Sequence, residues 1–253
     1  MKNKYLENLD KIEFVVTDAC TGRCKHCSQG DHRGGAKING EIAADVVKKV
    51  ASVYDIKTVM TFGGEPLLNT EAVFAIMSAA KKLDIPKRQL ITNGYFSKDE
   101  EHICSVASRL CDCGVNNLLL SVDVFHAETI PLDIVKIFAR EVIRCEIPTF
   151  LQPAWLVSAD DDNEYNRKTR EILDSFKHLG IPENDGNIIF PEGNALKYLA
   201  EYFKVYAPEN PYVEDVRDVR CLSVSANGDV LCGNIYGEDV LDIINRYDAT
   251  IDI

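Results

Sequence analysis

Residues 57–83 read KTVMTFGGEPLLNTEAVFAIMSAAKKL. The first six residues are short, apolar and rich in strand formers. Gly63-Gly64 break that run, and Pro66 stiffens the turn that follows. Thr70 then stands where a helix N-cap belongs, ahead of a helical run to residue 83. This is one βα unit, and the fold turns on whether it recurs. Residues 12–17 (IEFVVT), 88–93, 116–123, 149–157 and 187–190 read as further strands. Residues 41–54, 99–113, 131–145, 163–179 and 194–206 read as the intervening and final helices. Six consecutive βα units imply a parallel sheet with right-handed crossovers. Six are too few to close an eight-unit barrel. The expected architecture is therefore α/β, an open (βα)6 partial TIM barrel, with a flat doubly wound sheet as the second arrangement. Either one places ligands at the carboxyl ends of the strands.

The pattern breaks at residues 207–220 (APENPYVEDVRDVR), which are rich in proline and charge. This divides the chain into a core at 1–206 and a linker and tail at 207–253. In the tail, residues 221–226 and 229–233 flank Asn227-Gly228, a two-residue hairpin signal. Such a hairpin would set Ser223 opposite Cys232 and Cys221 opposite Asn234. Cys221 and Cys232 would then share one face as diagonal neighbours about 7–8 Å apart. A short amphipathic helix over 238–247 follows.

The chain has 253 residues, 46% of them hydrophobic, so it can bury a core without disulfides. Forty acidic against 28 basic residues give a net charge of -12. That balance disfavours a general phosphate-binding surface, hence nucleic acid as partner. No signal-peptide pattern and no 18-residue apolar run is present, so a cytoplasmic protein without a membrane span is expected. Nine cysteines in a reducing compartment then ask for a use other than disulfides.

Three of them fall in the loop after the first strand, Asp18-Ala19-Cys20-Thr21-Gly22-Arg23-Cys24-Lys25-His26-Cys27. Three soft thiolates at C-x3-C-x2-C spacing can wrap one site. Structural zinc takes four ligands, and no second pair lies nearby. A [4Fe–4S] cluster also usually takes four cysteines, so three leave one iron open to another ligand.

Cys20, Cys24 and Cys27, with His26 before the last cysteine, resemble the cluster motif of the radical S-adenosylmethionine (radical SAM) enzymes. The likeness extends to Gly63-Gly64-Glu65-Pro66 after the second strand, to residues 90–94 (LITNG), and to Ser121-Val122-Asp123. It covers roughly residues 10–206. The resemblance implies a [4Fe–4S] cluster on the three cysteines, with S-adenosylmethionine chelating the open iron. It implies reductive cleavage by a one-electron donor such as a flavodoxin or ferredoxin. The resulting 5′-deoxyadenosyl radical would abstract hydrogen from a substrate. It places cofactor contacts at His26, Gly63, Gly64, Glu65, Pro66, Asn93, Ser121 and Asp123. Glu65 is expected either to meet the methionyl ammonium or to pin its loop. Asp123 is expected either to meet the cofactor or to cap the next turn.

Gln152 is the polar exception in its strand and needs a partner, which a ligand could be. His126 stands near the active face and is a candidate for substrate contact. Glu192 and Asn194 lie at the same rim, where Asn194 also suits a helix cap. Trp155, and Cys104 and Cys111 on one stripe of the third helix, are expected in the core. Residues 221–244 resemble the start of a SPASM or twitch tail. That likeness suggests an auxiliary Fe–S cluster at Cys221 and Cys232, although two cysteines do not complete a site. Either thiol could instead give a hydrogen atom to a substrate radical. Peptide or protein modification is the favoured activity on this reading. A small-metabolite enzyme, a glycyl-radical activase and a non-catalytic Fe–S electron carrier are the alternatives.

Overall fold

Alternation within the first strand sets the two faces of the sheet. Ile12 and Phe14 are fully buried beneath helices, while Lys11, Glu13 and Val15 face a half-exposed interior. The computed structural model describes residues 2–30 and 34–251. In chain order it runs β1 (Lys11–Val15), α1 (Gly40–Ala51), β2 (Thr58–Phe62), α2 (Thr70–Lys82), β3 (Lys87–Thr92) and α3 (Glu100–Asp112). Next come β4 (Asn117–Ser121), α4 (Val124–Ala127), α5 (Leu132–Arg144), β5 (Thr149–Gln152), β6 (Ala154–Trp155) and α6 (Glu164–Asp174). The rest is β7 (Asn187–Ile188), α7 (Gly193–Tyr198), β8 (Cys221–Val224), β9 (Asp229–Val230), β10 (Gly233–Asn234) and α8 (Val240–Arg246).

The main sheet has six strands in the order β5-β4-β3-β2-β1-β8, every pair parallel. This is the expected α/β partial barrel. Side-chain caps start several helices. Asn39 accepts from Glu41 and Ile42 N–H, and Asp99 from Glu101 and His102 N–H. Thr70 is not a cap: it lies inside α2, and the preceding Asn69 donates to the carbonyls of Val16 and Ile38.

Two differences from the sequence reading concern the sheet edges. The expected strand over 149–157 is broken at Pro153, which has no N–H for the ladder. Beyond that break β6 pairs with β7 in a separate two-stranded sheet. The sixth place in the main sheet goes to β8, from the tail. It pairs with β1 through Lys11↔Cys221, Ile12↔Leu222, Glu13↔Ser223 and Phe14↔Val224. The hairpin between 221–226 and 229–233 therefore does not form. The turn at Asn227-Gly228 is made, with Gly228 N–H donating to Ser225 O and φ of 86° at Gly228. Residues 221–224 instead cover the open edge of β1, which buries Leu222 and Val224 completely. The hairpin that does form joins β9 and β10. The main sheet thus takes strands from both sides of residues 206 and 207.

Residues 194–206 are not one helix. α7 stops at Tyr198, and a 3-10 turn covers Ala200–Phe203. On α3 the buried stripe is Ile103, Val106, Ala107 and Leu110, with Cys111 exposed and Cys104 half-buried. Those two cysteines flank the core stripe rather than belong to it. Trp155 is buried as expected, its indole N–H donating to Asp185 O. No described helix is long and apolar enough to cross a membrane.

Candidate active site

The cysteine loop leaves β1 at the carboxyl end of the sheet and is held from four sides. From β2, Gly64 N–H donates to Thr17 O and Glu65 N–H to Ala19 O, both at 2.8 Å. A Cβ on Gly64 would fall 2.2 Å from Ala19 O, so only glycine lets the two backbones approach this closely. From β3, Asn93 donates to Thr21 Oγ1 at 3.3 Å and to Cys20 Sγ at 3.7 Å. From the end of α4, Thr129 Oγ1 accepts from Arg23 N–H, and Glu128 pairs with Lys25. From the start of α7, Asn194 donates its backbone N–H to Cys27 O and its amide to Cys24 O.

Glu65 is the buried pin of this arrangement. Oε1 accepts from Leu67 N–H and Thr92 Oγ1, and Oε2 accepts from Asn93 N–H, all within 2.9 Å. Burial pushes its pKa up to about 7 despite those bonds. Of its two expected roles, the structure supports the loop pin. Pro66, also buried, starts the 3-10 turn that follows Glu65.

Asp123 is equally occupied. Oδ1 accepts from His126 N–H at 2.9 Å, and Oδ2 accepts from His126 Nδ1 at 2.8 Å and from Ala154 N–H at 3.2 Å. It therefore caps α4 and orients His126. Burial works against its charge, but His126 outweighs burial and holds Asp123 at about 2. Burial also works against a charged His126, and Asp123 overrides it, raising the imidazole above its ordinary value. His26 lies 4.9 Å from His126 and 5.0 Å from Phe125 between ring centroids. Burial lowers His26 to about 4, so its ring is neutral at neutral pH.

The donor set fits the group that the sequence suggests. A Cβ on Gly22 would sit 3.1 Å from Cys24 Sγ and 3.7 Å from Cys20 Sγ, so both sulfurs converge on one residue. Ligand atoms of Cys24, His26 and His126 lie within 4.8 Å of one another. His26 Nδ1 is buried and has no hydrogen-bond partner among the described residues. Burial pushes the Cys20 thiol up to about 11 and raises Cys24 and Cys27 as well. Thiols kept neutral by burial would release their protons to solvent as a metal ion took their place on sulfur.

A cavity of about 670 Å³ runs down from this loop into the barrel. His26, Gly63, Gly64, Asn93, Ser121, Asp123, His126 and Gln152 all line it, together with the three loop cysteines. Glu65 and Pro66 lie behind the wall. Ser121 and Gln152 are paired across β4 and β5. The partner that Gln152 needs is already present, since its Oε1 accepts from Asn184 at 2.6 Å.

Cys221 and Cys232 do not line the cavity. Cys221 sits opposite Lys11 at the foot of β1, about 20 Å of strand rise below the cysteine loop. Burial raises its thiol pKa, and Glu13 adds to the rise. Cys232 leans on α8, its sulfur 4.0 Å from Ile243 O. The pairing that was to set these two cysteines on one face is the hairpin that does not form. Asn194 is more than a cap, and only its place at a strand end signalled its grip on the loop. The sequence reading also missed Lys11, Glu13, Gln89 and Ser223, which line the lower cavity. Their signal was polar side chains at the inward positions of otherwise apolar strands.

The parallel barrel, the three-cysteine loop and the glycine pair beside it meet at the carboxyl end of one sheet. The sequence pattern of the radical SAM superfamily matches residues 14–191, and the chain belongs to that superfamily. It is 32% identical over 132 residues to a GTP 3',8-cyclase of Clostridium perfringens (strain 13 / Type A), which covers 51% of this chain. The chain spans only 39% of that relative's length. A probable GTP 3',8-cyclase of Saccharolobus islandicus (strain L.S.2.15 / Lassen #1) is 26% identical over 220 residues, 81% of this chain and 68% of that protein. Among solved structures, Streptococcus suis SuiB bound to S-adenosylmethionine aligns with a TM-score of 0.62 at 14% identity. That alignment covers 95% of this chain and 66% of SuiB. The enzyme anSMEcpe, with bound AdoMet and Cp18Cys peptide, aligns with a TM-score of 0.60 at 15% identity, over 95% and 81% of the two chains. These likenesses show the fold. The superfamily implies a [4Fe–4S] cluster and S-adenosylmethionine as cofactors.

Proposed function

We propose that Cys20, Cys24 and Cys27 hold the [4Fe–4S] cluster, and that S-adenosylmethionine lies along Gly63, Gly64, Asn93 and Ser121. Bound together, the two groups supply hydrogen-atom abstraction driven by one-electron reduction of the sulfonium. The chain's own part is positional. Glu65, Asn93 and Asn194 fix the loop that carries the thiols. Asp123 aims the His126 ring at the cavity, and the buried Nδ1 of His26 offers a polar contact to the cofactor pair. A flavodoxin or ferredoxin suits the need for a one-electron donor.

The substrate reading that the cavity supports best is a compact organic metabolite without a polyphosphate. The observation that carries it is the lining: Lys11 is the one lysine or arginine among the described cavity residues. A triphosphate asks for several cations at once. The cyclase relatives therefore support a small-molecule substrate more than they support GTP. Peptide modification, first suggested by the tail, keeps the support of the peptide-bound fold neighbours. The tail strand that suggested it here completes the sheet. The test is anaerobic reconstitution with iron and sulfide, then dithionite and S-adenosylmethionine. Formation of 5′-deoxyadenosine well above a Cys24→Ala control is expected, and parity with that control sinks the enzyme assignment. Metabolite extracts and peptide extracts, added separately, distinguish the substrate classes by which one stimulates turnover.

A further inference from the structure

The inward side chains of the barrel stack in register, and their chemistry changes by layer. Near the cavity floor one layer runs Ser223–Glu13–Met60–Gln89 across β8, β1, β2 and β3, and Asn117 of β4 continues it in register behind the lining. Lys11, one step below on β1, reaches up to Glu13 with Nζ 2.7 Å from Oε2. The next layer is apolar, built from Val15, Phe62, Ile91 and Leu119. The rim above is polar again. Parallel barrels usually fill such layers with bulky branched residues. A charge pair there carries a desolvation cost that packing alone would not select. This pair stays reachable, since the Lys11 and Glu13 side chains keep 31% and 18% of their exposure and both line the cavity. Neither is needed at the rim, where the cofactors are placed, roughly 13 Å of strand rise above Glu13.

We propose that this floor is a head-group subsite for a free α-amino acid. A zwitterion matches it group for group. The ammonium meets the Glu13 carboxylate and the Gln89 carbonyl oxygen. The carboxylate meets Lys11 Nζ and the Ser223 hydroxyl. Gln89 is already oriented for this, because its amide nitrogen donates to Asn117 Oδ1 at 2.6 Å. The apolar band above then takes the side chain and carries it toward the rim. That distance favours a long or aromatic side chain. The subsite rests on the proposed placement of the cofactors at the rim, but it is tested by binding alone.

The experiment is calorimetry on the reconstituted full chain with S-adenosylmethionine bound. The probes are the twenty L-amino acids, the N-acetyl and carboxamide derivatives of any that bind, and guanosine. A free amino acid is expected to bind at least tenfold more tightly than either derivative. Glu13→Gln should weaken it about tenfold and erase the preference over the N-acetyl form. Lys11→Met should erase the preference over the carboxamide. Ser223→Ala, which removes no charge, should weaken binding several-fold and serves if a charge variant fails to fold. Three results overturn the subsite: no amino acid binds, binding is unaffected by these variants, or guanosine binds instead and is lost in Glu13→Gln. S-adenosylmethionine affinity is measured in the same samples. Its absence in the unmutated protein defeats the cofactor placement, whereas its presence without amino-acid binding defeats only the subsite.

Discussion

The rim and the floor of the same cavity are both polar, and they use their polarity in opposite ways. At the rim, Glu65 accepts three hydrogen bonds from its own chain and Asp123 accepts three more. Asn194 donates both of its N–H groups described above to carbonyls of the cysteine loop. Those groups are consumed in holding a loop still. On the floor, Glu13 and Lys11 hold mainly each other and remain open to the cavity. Buried, satisfied polar groups therefore mark scaffolding, and half-buried paired ones mark a surface that still has bonds to give.

That contrast can be broken or sharpened by experiment. The largest effect is expected at the rim. Cys24→Ala should reduce bound iron from about four atoms per chain to less than one, read by iron and sulfide analysis. Gly64→Ala should come next, because its Cβ would lie 2.2 Å from Ala19 O. The two loops must part, at about 2 kcal/mol or more of unfolding free energy in urea, with a matching fall in iron retention.

Glu65→Gln tests the pin through pH. The Glu65 pKa is raised from 4.5 to about 7 in the fold by burial. The folded state then binds more protons than the unfolded chain between those values, so this group's contribution to stability falls as pH rises through the window. Wild-type stability relative to Glu65→Gln should decline by up to roughly 3 kcal/mol from pH 4.5 to pH 7.5 in the metal-free protein. A flat difference would mean that Glu65 is not buried as described. Asn194→Ala removes the bond to Cys24 O, at about 1–2 kcal/mol, and should slow cluster reconstitution. The smallest effect belongs to the floor-side thiol. Cys221→Ala should cost about 1 kcal/mol and leave products unchanged. An altered product would restore Cys221 as a hydrogen donor and erase the difference between rim and floor.

Local signals made the rim legible in the sequence and left the floor obscure. The first four βα units, the C-x3-C-x2-C loop and Gly63-Gly64 are each signalled within a short stretch of chain, and they stand where they were expected. Glu65 and Asp123 were each given two roles from the sequence, and their hydrogen bonds favour the structural one. The fate of residues 221–224 was not legible, because Asn227-Gly228 predicts a turn but not which partner the preceding strand takes. An open parallel edge at β1, distant in sequence, outcompeted the local hairpin. Lys11 and Glu13 were visible only as charges in an apolar strand. Their meaning depends on Gln89 and Ser223, which other strands bring alongside. Cys104 and Cys111 misled because a seven-residue spacing fixes a shared stripe without saying whether that stripe faces inward.

The pairing of β8 with β1 has a consequence for how the chain comes off the ribosome. About 210 residues separate Phe14 from Val224. Until the later segment emerges, the outer edge of β1 presents unpaired amides beside three thiols. Contacts of such long sequence separation form late. Synthesis therefore leaves a period in which the cysteine loop is already translated but its supporting strand has one naked flank, open to aggregation.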